Sequence, residues 1–323
     1  MEIQTGQIKM LQIHDLRIWF SVKRGVLAKT VGHVRAVDGV SFSVQRGEIM
    51  GLVGESGCGK TTLGRALLGL EIPQSGEIVF KGRNIFELSP RRIREFRKAM
   101  QFVFQDPVSS LNPRMNVMDI VTEGLVEFRM IESTRKEHAV RILKDVGLDA
   151  DCLYRYPHEF SGGQRQRINI ARAISMRPDF IVCDEPVSAL DVSVQAQVLN
   201  LLMDLRDRFH LSYLFITHDL SVVNHIADRT AVMYLGKIVE IGPTEDIVKD
   251  PLHPYSRALI RSVPLPGVHR PERMVLTGEI PSPSTPPSGC RFHTRCPYAM
   301  KKCEVSEPDE ISQQGRRVWC HLY

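Results

Sequence analysis

"RGEIMGLVGESGCGKTTLGRALLGL", Arg46 to Leu70, decides how the rest of the chain is read. Ile49 to Val53 form a short apolar run of the kind found in buried strands, and Leu63, Ala66, Leu67 and Leu70 recur at helical spacing beyond it. Between the two, Gly54, Glu55, Ser56, Gly57, Cys58, Gly59, Lys60 and Thr61 fit the phosphate-loop pattern G-x-x-x-x-G-K-[ST], with Thr62 following. Glycines let successive backbone N–H groups turn inward around phosphate oxygens. The Lys60 ammonium is a point charge for the β and γ oxygens, and the Thr61 hydroxyl is a ligand for Mg²⁺. A tight glycine turn with no ligand is the plain alternative, and the strand before it and helix after it argue against that. Cys58 reads as a small filler rather than a reactive thiol. The fold class is α/β.

A second stretch, "PDFIVCDEP" from Pro178 to Pro186, places four apolar residues before Asp184 and Glu185. Carboxylates at the carboxyl end of a parallel strand lie where open α/β sheets bind ligands. Asp184 is then a partner for Mg²⁺, and Glu185 can polarise an attacking water. In "FSGGQRQRINIARAI", Phe160 to Ile174, Ser161 and Gln164 form a capping box ahead of a helix whose Ile168, Ala171 and Ile174 share one face. Capping alone does not require Gly162 and Gly163, since glycine at helical positions is costly. The pair makes sense where backbone must approach a phosphate at the positive end of a helix.

Phe160-Ser161-Gly162-Gly163-Gln164 resembles the LSGGQ signature of ABC-type ATPases, with Phe in the leading position. The family's other motifs follow in family order. Gln105 in "FVFQDP" resembles the Q-loop glutamine, Ser188-Ala189-Leu190-Asp191 the D-loop, and His218 in "LFITHD" the switch histidine. Phe20 falls where the family stacks an aromatic ring on adenine, with Trp19 an adjacent candidate. A lone Gln or His after a strand is usually structural, but six motifs in order are not a coincidence. The resemblance spans residues 8–245 and implies a P-loop nucleotide-binding domain with a RecA-like core, an antiparallel β subdomain and a helical subdomain at about 88–178. It further implies that Glu185 is the general base, that His218 contacts the γ-phosphate, and that Gln105 joins Thr61 and Asp184 around Mg²⁺. In the family, the signature of one subunit closes over the ATP held by another. With one motif set and no internal repeat, this chain is expected to pair with itself or with a paralogue.

Beyond Gly236 the composition changes. "DPLHPYSRALIRSVP" leads into a proline-dense stretch, Pro264 to Pro287, expected to run extended over the surface, and then into "PSPSTPPSGCRFHTRCPYAMKKC" and "VWC". Residues 246–323 thus read as a small Pro- and Cys-rich C-terminal extension. Together with "DEPVSALDVSVQAQVLNLL", this tail is similar to the ATP-binding subunits of dipeptide and oligopeptide importers, most of all to the second of their two paralogous ATPases. The resemblance implies two separate membrane-spanning permease subunits, an external substrate-binding protein, and a peripheral place on the cytoplasmic face of the inner membrane. Related ATPases serve importers of nickel or short sugars, and no residue here reads the cargo.

Four of the seven cysteines, Cys290, Cys296, Cys303 and Cys320, fall in the tail. The N-terminal stretch lacks a basic segment followed by an apolar run and a cleavage site, so a reducing compartment is expected, and there clustered cysteines point to metal more than to disulfides. Their spacings match neither the close pairs usual for zinc nor the common ferredoxin runs. The resemblance implies a [4Fe–4S] cluster, with zinc or bare thiols as alternatives and His293 and His321 as replacement ligands. Its role would be to staple a tail that has little core of its own. Cys152 and Cys183 read as ordinary buried residues. A formal charge of +5 is mild, and the basic run Arg91 to Lys98 reads as a solvated helix face, so no nucleic-acid partner is expected.

Overall fold

The computed structural model describes residues 9–25, 29–262 and 278–323. Residue 8 and positions 264–277 of the proline-dense stretch lie outside the described residues. Twelve strands run in chain order among the described residues: β1 (Lys9–Arg24), β2 (Lys29–Gln45), β3 (Ile49–Val53), β4 (Ser75–Phe80), β5 (Arg83–Asn84), β6 (Met100–Val103), β7 (Phe180–Asp184), β8 (Ser212–Thr217), β9 (Arg229–Tyr234), β10 (Lys237–Pro243), β11 (Glu310–Gln313) and β12 (Arg316–Trp319). The described residues form two compact units, one of residues 45–47 and 88–214, the other of residues 9–25, 29–44, 48–87, 215–262 and 278–323.

The first unit is built on β6 and β7, a parallel pair in register from Met100 opposite Phe180 to Val103 opposite Cys183. Every residue of β7 is buried. A strand covered on both faces reads as a continuous apolar run, which is why Phe180 to Cys183 show no alternation. Three helices pack together here, Val117–Glu127, Arg135–Asp145 and Gly162–Ser175. Side chains fix where they start: Asn116 accepts from the Asp119 amide at 2.9 Å, and Thr134 and Glu137 form a capping box. Arg135 ties the second helix to the first by donating to Asp119 at 2.7 Å and to the Thr122 hydroxyl at 2.9 Å.

In the second unit, β2-β1-β4-β5 form one sheet and β11-β12-β10-β9-β3 another. Strand β3 runs parallel to β9, while β10 is antiparallel to both β9 and β12. The tail therefore hydrogen-bonds into the sheet that carries the phosphate loop. Beneath it lies a cluster containing Val53, Val232, Tyr234, Tyr255 and Phe292, against which Cys290 and Cys296 pack. Each fully buried aromatic side chain contributes about 1.5–3 kcal/mol of apolar burial.

Polar groups also hold the tail. Glu240 on β10 is fully buried and accepts the amides of Leu252 and His253 at 2.9 and 3.0 Å, with Arg316 of β12 at 3.6 Å. The buried ring of His253 accepts the Tyr255 amide on Nδ1 at 3.0 Å, which only the neutral ring can do. Burial, reinforced by Arg257, pulls this imidazole down to about 3. The unfolded chain therefore binds a proton below about pH 6.5 that the folded chain refuses, and stability falls as pH drops through that window. Between pH 7 and pH 5 the loss is expected to be roughly 2 kcal/mol. Guanidinium unfolding of wild type and His253→Gln at both pH values checks this, with a shallower pH dependence expected in the variant.

Candidate nucleotide-binding site

The phosphate loop is shaped by close backbone contacts within the second unit. Gly59 has φ 109°, and a Cβ there would stand 1.9 Å from the Ala36 carbonyl oxygen. At Gly54 a Cβ would come within 2.2 Å of the Met233 carbonyl oxygen. No side chain fits at either position, so the loop is held against β9 and the middle of β2. The Gly236 amide donates to the Cys58 carbonyl at 2.9 Å and fixes the turn from outside.

Lys60 opens the helix Lys60–Leu67, and its ammonium folds back to donate to the carbonyls of Gly54 at 2.7 Å and Glu55 at 3.0 Å. The helix has no acidic residue in its first turn, so its positive end stays uncompensated by side chains. A narrow glycine loop, a buried lysine and a bare helix N-terminus together suit a polyphosphate. Ser56 and Gly57 are exposed, and Thr61 and Thr62 are half-buried at the helix start. Cys58 is buried and its thiol is pushed up by that burial, consistent with a filler.

In the same unit, Phe20 is 40% exposed, while the Trp19 indole N–H is bound to Asp38 at 3.1 Å with Arg35 over its ring. Of the two, Phe20 is the more exposed. His218 is exposed directly after β8, followed by Asp219, which caps the helix Leu220–Ile226 through the Ser221 amide at 2.8 Å.

In the first unit, Glu185 follows β7 in the left-handed region, with φ 46°. Such strain costs about 1–3 kcal/mol and collects at functional positions. It turns the carboxylate so that Oε2 accepts from Gln105 Nε2 at 3.1 Å. Asp184 before it is buried. The loop Ser188 to Asp191 is tied down from behind, where Gln195 donates to the carbonyls of Val187 at 3.0 Å and Leu190 at 2.9 Å.

Ser161 and Gln164 cap the helix Gly162–Ser175 reciprocally. Gly163 has a reason the sequence did not disclose: a Cβ there would meet Val194 Cγ1 at 2.5 Å. Packing inside the chain thus accounts for the second glycine. Gly162, exposed and with only an ordinary contact at 3.4 Å, retains the reading in which backbone must be approached by a phosphate.

The four tail cysteines are free of disulfides, Cys303 and Cys320 buried, Cys290 and Cys296 half-buried. The amides of Phe292, Tyr298, Met300 and Leu322 donate to the sulfurs of Cys290, Cys296, Cys303 and Cys320 in turn. Burial first, and then the neighbouring Cys303, Cys320 and Cys296, push the Cys290 thiol up to about 11. Among the described residues, no group of three His, Cys, Asp or Glu could hold a metal ion, so the expected ligation by Cys290, Cys296, Cys303 and Cys320 has no ready-made site here. His293 and His321 are engaged with the carbonyls of Cys290 and Ser306, both at 2.9 Å. Cys183 and Cys152 are buried as expected.

The ABC transporter family matches residues 37–188, and the family described as "Oligopeptide/dipeptide transporter, C-terminal region" matches residues 239–303. The chain is 50% identical to the oligopeptide transport ATP-binding protein AppF of Bacillus subtilis (strain 168), over 99% of both chains. The chain belongs to the ABC transporter ATP-binding proteins of the oligopeptide/dipeptide type. It is likewise 49% identical to the dipeptide transport ATP-binding protein DppF of Haemophilus influenzae over 98% of each. Among solved structures, cbiO1 of Clostridium perfringens, part of the ABC transporter complex cbiONQ, aligns with a TM-score of 0.65 and 26% identity, over 75% of this chain and 91% of that one. The cassette MJ0796, in a dimeric post-hydrolysis state with ADP and Pi, aligns with a TM-score of 0.64 over 73% of this chain and 99% of that one. At 24% identity it attests the fold alone. This ABC ATPase hydrolyses ATP.

Glu185→Gln is expected to leave ATP binding intact and to lower turnover by about 10²–10⁴-fold, the contribution of a positioned general base. Equilibrium ATP binding and phosphate release measured on the same preparation check it. Gly59→Ala, which must displace the Ala36 carbonyl, is expected to abolish ATP binding.

Proposed function

We infer that this ABC ATPase drives the uptake of dipeptides or oligopeptides through separate membrane-spanning subunits. The observation that carries this is identity near 50% to oligopeptide and dipeptide transport ATP-binding proteins over almost the whole chain, tail included. Among the described residues no helix is long and apolar enough to cross a membrane, so the pore belongs to other chains, two permease subunits fed by an external substrate-binding protein. The protein then lies peripherally on the cytoplasmic face of the inner membrane. Its partner ATPase is a paralogue, giving a heterodimer in which each signature closes over the other subunit's phosphate loop.

In this reading residues 8–245 are the nucleotide-binding domain, with its helical subdomain at about 88–178, and residues 246–323 the extension. Lys60 and the amides of Gly57 to Thr61 hold the β- and γ-phosphates, and Phe20 stacks on adenine. Thr61, Gln105 and Asp184 hold Mg²⁺, which supplies positive charge to the phosphoryl oxygens when bound. Glu185 accepts the proton of the attacking water, His218 contacts the γ-phosphate, and Asp191 with Ser161, Gly162, Gly163 and Gln164 reaches the nucleotide across the dimer. Glu185's link to Gln105 supports coupling between the base and the loop that senses the permease.

The extension holds a [4Fe–4S] cluster on Cys290, Cys296, Cys303 and Cys320 that staples the tail. Support comes from the four disulfide-free cysteines gathered in the tail and the amide donor on each sulfur. Zinc is the competing occupant.

In cells lacking this chain, uptake of labelled dipeptides and short oligopeptides is expected to fail and nickel uptake to persist; the reverse would assign the cargo to the metal. Anaerobically purified wild-type protein is expected to contain about four irons and four acid-labile sulfides, both lost in Cys296→Ser. One zinc instead would replace the cluster.

A further inference from the structure

Two arginines flank the loop between Cys290 and Cys296, and both reach the surroundings of the phosphate loop. Arg295, whose side chain is 5% exposed, donates Nη1 to Glu55 Oε2 at 2.7 Å and Nη2 to Glu55 Oε1 at 3.1 Å. This is the bidentate fork of a guanidinium on a carboxylate, formed across 240 residues of sequence. Arg291 donates to the Asp38 carboxylate and to the Leu235 carbonyl. The Asp38 amide in turn donates to the Gly236 carbonyl, and the Gly236 amide to the Cys58 carbonyl inside the phosphate loop.

Glu55 is the second residue of that loop. Its amide donates to the Tyr255 hydroxyl at 2.9 Å, and Tyr255 packs with Tyr234 and Phe292, the latter again from the cysteine loop. The pattern G-x-x-x-x-G-K-[ST] asks for no carboxylate at this position. A bare carboxylate beside the amides that receive phosphates would repel a polyanion, in a partly desolvated place where charges interact more strongly than in water. The Arg295 fork offsets that charge and fixes the side chain away from free rotation.

We propose that Arg295 is a positioning residue for the phosphate loop: by clamping and neutralising Glu55, the cysteine-bearing loop sets the affinity of the ATP site without touching the nucleotide. The inference rests on the nucleotide-binding reading of the loop and is independent of whether the cysteines carry metal. It makes the tail part of the ATP site's electrostatics.

The test is the dissociation constant of a fluorescent ATP analogue, with Mg²⁺, for the full chain. Arg295→Ala is expected to weaken binding about tenfold, the size of one charge-assisted hydrogen bond. Arg295→Gln, which keeps bulk and donors but removes the charge, serves if the alanine variant does not fold, and is expected to weaken binding in the same direction. Adding Glu55→Gln to either variant is expected to restore most of the lost affinity, because the uncompensated carboxylate is then gone. A purely structural role of Arg295 predicts a lower melting temperature and no such rescue. Unchanged affinity in the single variants, or losses that add in the double variant, would overturn the proposal. A Lys60→Ala variant that still bound the analogue would instead overturn the reading of the loop, so the two failures are told apart.

Discussion

Backbone must pass within touching distance of backbone at Gly54 and Gly59, and much of the second unit is arranged around that requirement. The carbonyls of Met233 and Ala36 occupy the space where side chains would otherwise be, so β9 and the middle of β2 form a mould for the loop. With the loop pressed into that mould, Lys60 can bury its ammonium against the carbonyls of Gly54 and Glu55, and the following helix starts without side-chain charge at its positive end. Relaxing either glycine contact would move the amides that face a phosphate. The chemistry of the site is thus inherited from strand packing rather than added to it.

Apolar and polar forces divide the work of holding the tail. The cluster around Tyr234, Tyr255 and Phe292 supplies non-directional burial, and β12 adds a ladder to β10. Direction comes from buried ions: Glu240 collects two amides and approaches Arg316, and Arg291 meets Asp38. Buried pairs of this kind add little net stability over an apolar replacement, but breaking one leaves an uncompensated charge. Their effect here is to set where the tail docks, which brings Arg295 to Glu55.

The first unit shows a similar economy around Glu185. A strained backbone turns the carboxylate toward Gln105, while Gln195 secures the adjacent loop by its carbonyls. The helix Gly162–Ser175 packs so closely on the helix Val192–Phe209 that Gly163 has no room for a methyl group beside Val194. One glycine of the pair therefore answers to the chain's own packing, and the other remains exposed at the helix end.

Local chemistry was legible in the sequence because it is written within short windows. The strand, glycine loop and helix of residues 49–67, the apolar run into Asp184 and Glu185, and the Ser161–Gln164 cap each depend on neighbours a few residues away, where spacing and residue type decide the conformation. That the Trp19 indole N–H is engaged was not legible, since it turns on a hydrogen bond to Asp38 across two strands. Nor was the role of Gly163, which depends on a contact with Val194, or the fork between Arg295 and Glu55. An arginine in a cysteine-rich tail and a glutamate in a phosphate loop carry no local signal of each other. Only the folded chain, by docking the tail on the sheet that bears the loop, brings their charges within hydrogen-bond distance, because ion pairs require proximity in space and are indifferent to proximity in sequence.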